Sequence, residues 1–154
     1  MIRENLIFLN KDISDRETAI SYITDMADVS GLLRDKSVFL KSVQERERVL
    51  PTSVGFKVAM PHGRSSGVRS PFVSFMKTKQ EFIWDTRNGN EVDLVFLIAV
   101  PEKNENNLHL RFLSEISKKL MDEDFREQLR SAGSEHEVFV MLQEINEKVM
   151  EKRL

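Results

Sequence analysis

The chain has three histidines and no cysteine, which concentrates its candidates for nucleophilic or general acid–base work at neutral pH in His62, His109 and His136. His62 stands between Pro61 and Gly63, directly after a short β-type run. Proline restrains the approach and glycine lets backbone come close to a ligand, so the sequence predicts a loop that presents an imidazole at a cleft with one nitrogen free. The plainer alternative is an ordinary loop histidine. His109 falls in the first turn of an amphipathic helix. Unpaired backbone N–H groups there favour an anion, and a phosphate beside His109 would gain hydrogen bonds and a favourable dipole. Its plainer alternative is a boundary histidine bonded to a neighbouring carbonyl. His136, between Glu135 and Glu137, is expected to face solvent and is given no role.

Other chemistries find little support. Zinc would need a third ligand beside His62 and His109, and no His-Glu-x-x-His pair is present. Neither phosphate-binding glycine loop, Gly-x-x-x-x-Gly-Lys-Ser/Thr or Gly-x-Gly-x-x-Gly, occurs. Phe82 and Trp84 read as hairpin packing, and the charged C-terminal segment as a solvated helix face.

The elements that must position these residues can be read in order. Ser14 and Glu17 have capping-box spacing before Ile20, Ile23 and Ala27, which predicts a helix ending at Gly31. A second helix starts from Asp35 as its cap, carries Phe39, Leu40 and Val43, and stops before Pro51, placing Arg46 near its C-terminus. Glycines and prolines then punctuate two short β-type runs, 56–60 and 72–77. Segments 81–86 and 91–100 flank Arg87-Asn88-Gly89-Asn90, whose Asn-Gly pair suits a tight turn, so a hairpin is expected. Its second arm is nearly continuous in apolar residues over 94–100, implying burial on both faces and helices on each side of the sheet.

Leu108, Phe112, Ile116 and Leu120 recur every four residues in a third helix that starts near Asn106. A shorter helix follows from about Asp122, and a last one opens with Ser134 and Glu137 as a capping box. The order of helices, strands and helices predicts an α/β fold, a layered α/β/α domain with a mixed sheet. At 154 residues, one domain spanning 1–154 is the expectation.

Composition narrows the function classes. Without cysteine there is no disulfide framework, thiolate zinc site or cysteine nucleophile, which fits a reducing compartment. Twenty-three Lys plus Arg against twenty-five Asp plus Glu leave a net charge of −2, which argues against a nucleic-acid binder driven by a basic field. The longest apolar run, 92–100, is about half of the ~20 residues a membrane-spanning helix needs. The N-terminus shows no signal-peptide pattern, so a cytoplasmic protein is expected.

The segment Thr52-Ser53-Val54-Gly55-Phe56-Lys57-Val58-Ala59-Met60-Pro61-His62 resembles the active-site signature of the fructose/mannitol family of enzyme IIA, from the bacterial phosphoenolpyruvate:sugar phosphotransferase system. Thr52, Gly55, Ala59, Met60, Pro61 and His62 carry that pattern. Arg46, in Glu45-Arg46-Glu47, stands sixteen positions before His62 as in the family, and His109-Leu110-x-x-Leu113-x-x-Ile116 is similar to its second-histidine helix. The resemblance covers nearly the whole chain. Two departures are Lys57, where the family usually has a small residue and often glycine, and the bulky Phe56 before it.

The resemblance implies a three-layer α/β/α sandwich and a phosphocarrier, the IIA component of a phosphotransferase, for sugar uptake. His62 would accept a phosphoryl group from phosphorylated HPr and pass it to a IIB component. Arg46 would offer a forked cation to the phosphate oxygens and His109 a ring N–H donor, with no cofactor or metal. The attacking atom would be Nε2, the other nitrogen being oriented by a backbone acceptor. Contact with a membrane would be indirect, through a IIC transporter. Meeting two partners through one face suggests a shallow cleft with an apolar rim drawn from Val54, Phe56, Met60 or the 101–107 loop. The rival within the family is a regulatory, nitrogen-related IIA that acts by phosphorylation-dependent protein binding.

Overall fold

Strand β6 (Glu91–Pro101) runs through the middle of the computed structural model, which describes residues 1–104 and 107–151. Every residue from Leu94 to Val100 is fully buried, as an unalternating apolar run requires. Leu94, Phe96, Ile98 and Val100 face one core, Val95, Leu97 and Ala99 the other. The first core is closed by α3 (Leu108–Leu120), α4 (Glu123–Ser131) and α5 (Glu135–Glu151). The second is closed by α1 (Arg16–Val29) and α2 (Lys36–Val49). The expected three-layer α/β/α sandwich is observed.

The sheet is mixed. β1 (Ile2–Lys11) lies parallel to β5 (Phe72–Ile83), which is antiparallel to β6. β3 (Val58–Ala59) and β4 (His62–Ser65) follow one another along the far edge of β6, both parallel to it. β2 (Ser53–Gly55) is antiparallel to β3. Between β3 and β4 stands Pro61, which has no N–H for the ladder but whose carbonyl accepts from Ile98 N–H at 3.0 Å.

Local signals place most helix starts. Asp35 and Asp122 cap α2 and α4, accepting from Val38 N–H and Asp124 N–H. Ser134 Oγ accepts from Glu137 N–H at 3.2 Å while Glu137 reaches back to Gly133 N–H at 3.0 Å. At α1 the cap is Asp15 rather than Ser14. Its carboxylate accepts from both the N–H and the hydroxyl of Thr18, each at 2.7 Å, and a charged acceptor suits the positive end of the helix.

The strands depart from the sequence reading, in which 56–60 was one β-type run and His62 lay in a loop. β1 was not anticipated, because its partner β5 lies some seventy residues away and only four consecutive apolar residues mark it. The runs 72–77 and 81–83 join into one long β5 across a register shift between Lys77 and Phe82, and 84–86 fall outside the strand. Helix α3 is described from Leu108; its expected start at Asn106, part of the 101–107 loop and residues 152–154 lie outside the described residues.

Candidate functional site

His62 is not in a loop: it opens β4, paired with Ile98 of β6. Both flanking residues that read as loop signals have sheet functions. Pro61 sits where the ladder needs only its carbonyl. Gly63 is buried, and a Cβ there would lie 3.1 Å from Ser42 Oγ and Val43 Cγ2 and 3.2 Å from Phe39 Cε1. The glycine therefore admits helix α2 rather than a ligand. That close approach brings the C-terminal half of α2, with Arg46, alongside His62.

The imidazole is half-buried, with Nδ1 3.0 Å from the carbonyl oxygen of Met60. With Nδ1–H donating to that oxygen, Nε2 is left as the free nitrogen. Met60 is itself held, its N–H donating to Thr52 O at 3.0 Å. Thr52 in turn donates its N–H at 3.2 Å and its hydroxyl to the buried carboxylate of Glu47 on α2. Trp84 Nε1–H donates to the same carboxylate at 3.1 Å. Thr52, the first residue of the signature, thus ties α2 to the segment that fixes the His62 ring.

His109, in the first turn of α3, has its ring centroid 6.4 Å from that of His62, with 29° between the planes. Its Nδ1 is enclosed and has no hydrogen-bond partner among the described residues. The helix start is fixed from outside, Leu108 N–H donating to Asn104 Oδ1 at 2.8 Å. A cavity of about 310 Å³ is lined by His62, His109, Arg46, Ser42, Gly63 and Arg64. The three residues expected to act together, His62, His109 and Arg46, are therefore brought together. Arg46 has one end committed: its Nη1 donates at 2.8 Å to the carbonyl of Leu50, the C-cap of α2. His136 stands apart, exposed and paired with Glu4.

The surroundings of both site histidines favour the neutral ring. Burial pushes the His62 pKa below the usual 6.5, aided by the Arg46 charge and opposed by the Met60 carbonyl and Glu47. Burial likewise lowers that of His109, with His62 and Arg64 adding to it. A neutral ring keeps the lone pair that a nucleophile needs. Among the described residues no three His, Asp or Glu side chains gather as a metal cage would require, and no helix is long and apolar enough to cross a membrane.

Of the residues expected to form an apolar rim, Val54, Phe56 and Met60 do not line the cavity, which is formed by two histidines, two arginines, a serine and a glycine. Met60 is a core residue. Val54 and Phe56 are exposed but belong to the β2–β3 hairpin. Lys57 O in that hairpin accepts from Asp93 and Leu94 N–H, whereas His62 pairs with Ile98, so the hairpin tip lies roughly 13 Å or more along β6 from the site. Phe56 and Lys57 form its turn with φ of 56° and 63°, a conformation that glycine adopts freely and a side chain resists. The sequence reading missed Glu47, Ser42 and Arg64. Arg64 could have been found from period-two alternation had β4 been recognised as a strand.

Comparison with known proteins gives the family and the fold. Residues 1–145 match the family described as "Phosphoenolpyruvate-dependent sugar phosphotransferase system, EIIA 2". The chain is 34% identical over 142 residues to the fructose-specific EIIA component of Haloferax volcanii, covering 92% of each. It is 32% identical over 135 residues to the fructose-specific EIIABC component of Bacillus subtilis, covering 88% of this chain but 21% of that longer protein. Among solved structures, nitrogen regulatory protein IIA-Ntr of Neisseria meningitidis superposes with a TM-score of 0.78 at 25% identity, over 92% of this chain and 95% of that one. Enzyme IIA mannitol of Escherichia coli gives 0.75 at 26%, over 90% and 96%. A complex of that enzyme with phosphorylated enzyme IIB gives 0.77 at 23%, over 93% and 99%, a likeness of fold.

Proposed function

Because this chain belongs to the EIIA 2 family of the phosphoenolpyruvate-dependent sugar phosphotransferase system, we propose that His62 is the residue that carries its phosphoryl group. The chain is a phosphotransferase component of the enzyme IIA type, a phosphocarrier. The observation that supports His62 is its Nδ1 contact with Met60 O, which orients the ring and leaves Nε2 free beside Arg46 and His109.

In the transfer, the Nε2 lone pair forms the new P–N bond while the bond from phosphorus to the donor atom breaks, its electron pair leaving with the donor. The His62 ring gains positive charge, and Nδ1–H stays on Met60 O, which stabilises that charge. Such transfers depend mainly on alignment and on countering charge at three phosphoryl oxygens. The guanidinium of Arg46 has N–H groups beyond the one held by Leu50 O, and these meet the oxygens. With His109 Nδ1 enclosed, Nε2 is the ring nitrogen placed to donate to the phosphoryl oxygens.

The donor is phosphorylated HPr and the acceptor a cognate IIB component, the IIB half of this reading being supported by the EIIABC relative and the mannitol IIA–IIB complex. Residues 1–154 act as one IIA unit in the cytoplasm, linked to the membrane through a IIC transporter. The likeness to the Neisseria nitrogen regulatory protein favours a second reading, in which the phosphorylated and free forms bind a regulatory target. Rapid onward transfer to IIB supports the first, and stable phosphorylation with state-dependent protein binding the second.

The test is intact mass after incubation with enzyme I, HPr and phosphoenolpyruvate, before and after acid. Wild type gains one acid-labile phosphate and His62→Ala gains none. Equal labelling of the two proteins overturns the assignment of His62.

A further inference from the structure

We propose that Arg64 is a second phosphate-binding residue of this site, its guanidinium contacting the phosphoryl oxygens on His62 together with Arg46. The inference rests on the phosphocarrier reading and adds to it a residue that neither the signature nor the second-histidine helix contains.

Strand geometry is the first support. Successive side chains of a strand point to opposite faces, so His62 and Arg64 share one face of β4, while Gly63 and Ser65 face inward. The burial follows this alternation: His62 is half-buried and Arg64 exposed, with Gly63 and Ser65 buried. Two residues along a strand separate their Cα atoms by roughly 6–7 Å, within reach of an arginine side chain bending toward its neighbour. Arg64 accordingly lines the same cavity as both histidines and Arg46.

Availability is the second. Arg16, Arg87 and Arg130 are each held by a carboxylate, and Arg46 by the Leu50 carbonyl. The Arg64 guanidinium has no hydrogen bond or ion pair among the described residues, although Glu45 and Glu102 line the adjoining cavity with it. What holds this residue is its backbone, paired with Val100 and accepting from Ser42 Oγ at 3.5 Å. An anchored backbone with a free fork is the arrangement of a ligand-binding arginine.

Charge balance is the third. A phosphoryl group on a side chain carries about 1.5 to 2 negative charges near neutral pH. Arg46 keeps its full charge although one N–H is committed, and Arg64 is a second cation lining the same cavity, where it would share the charge of the phosphoryl oxygens. Its field already reaches His109, contributing to that residue's lowered pKa.

A small donor separates phosphate binding from protein docking, since phosphoramidate phosphorylates histidine with no partner protein to recognise. Wild type, Arg64→Gln, Arg64→Lys and His62→Ala are followed by intact mass with phosphoramidate, and separately with phosphorylated HPr at varied concentration. Arg64 is exposed, so the variants should fold, which circular dichroism checks. With phosphoramidate, Arg64→Gln is expected to be labelled about 10–100-fold more slowly than wild type, and Arg64→Lys to recover part of the loss through charge without the fork. With phosphorylated HPr, the maximal rate should fall while the half-saturating donor concentration stays within about threefold. An unchanged phosphoramidate rate, or a defect confined to half-saturation with HPr, overturns the inference and makes Arg64 a docking residue or a spectator. If wild type itself takes no phosphate, or His62→Ala is labelled equally, the phosphocarrier reading fails instead.

Discussion

Two polar clusters flank the C-terminal half of α2, and they differ in how completely they are satisfied. In the cluster around Glu47 every hydrogen-bonding demand is met: the carboxylate, 2% exposed, takes Thr52 N–H, Thr52 hydroxyl and Trp84 Nε1–H. Close by, Asp85 is gripped by Arg87 and Arg16, while Arg87 also donates to the carbonyls of Glu47 and Arg48 near the end of the helix. Around His62 the opposite holds. Among the described residues His109 Nδ1 is enclosed without a partner and the Arg64 guanidinium makes no hydrogen bond or ion pair. An unpaired buried polar group costs about 1–3 kcal/mol, so folds usually close such clusters. One that closes the first and leaves the second open has built a scaffold and a site.

Removing the most satisfied group should have the largest effect on stability. Glu47→Ala strands two Thr52 donors and Trp84 Nε1–H inside the protein, which is expected to cost about 3 kcal/mol or more, read from urea unfolding. A midpoint within error of wild type would break the contrast on its scaffold side. In the open cluster the effect should move from stability to chemistry. His109→Ala removes a ring already short of partners, so unfolding should stay within about 1 kcal/mol of wild type while phosphoryl transfer slows by about 10²-fold. A stability loss as large as that of Glu47→Ala, with transfer intact, would place His109 in the scaffold.

How much of this was legible in the sequence depended on how local each cause is. Periodicity and the continuous apolar run of β6 carried the layered fold, because burial on two faces leaves a local trace. The resemblance gathered His62, His109 and Arg46, and the structure brings them to one cavity. The hidden features are those whose cause lies elsewhere in the chain. Gly63 looked like loop flexibility because its real reason, contact with Phe39, Ser42 and Val43, is a packing event. Misreading β4 as loop then concealed Arg64, which only strand alternation relates to His62. Glu47 passed as one charge in a charged helix end, since nothing local says that Thr52 and Trp84 will fold over it. Lys57 is different: its departure was visible, but its meaning needed the positive φ of the turn and the turn's distance from the site.

Acid should separate the two clusters by a smaller but sharper effect. His62 and His109 have folded pKa values lowered by burial first, with Arg46 adding to the shift at His62 and His62 and Arg64 at His109. Their unfolded counterparts titrate near 6.5, so between the lowered values and 6.5 the unfolded chain binds more protons. The unfolding free energy therefore declines as pH falls through 6.5, levels off below the folded pKa values, and is unaffected above 6.5. Asp85 acts at the other end of the scale. Its hydrogen bonds to Arg87 above all, and to Arg16, hold its carboxyl far below the usual carboxylate range. It contributes stability that is present above its unfolded pKa, near 3.8, and is lost as pH falls toward the folded value. Urea unfolding across pH should show two limbs, the upper removed by the His62→Ala/His109→Ala pair and the lower by Asp85→Asn. If the double variant leaves the upper limb unchanged, the histidines are as well solvated in the folded chain as in the unfolded one, and the cluster called open was never desolvated enough for its missing partners to matter.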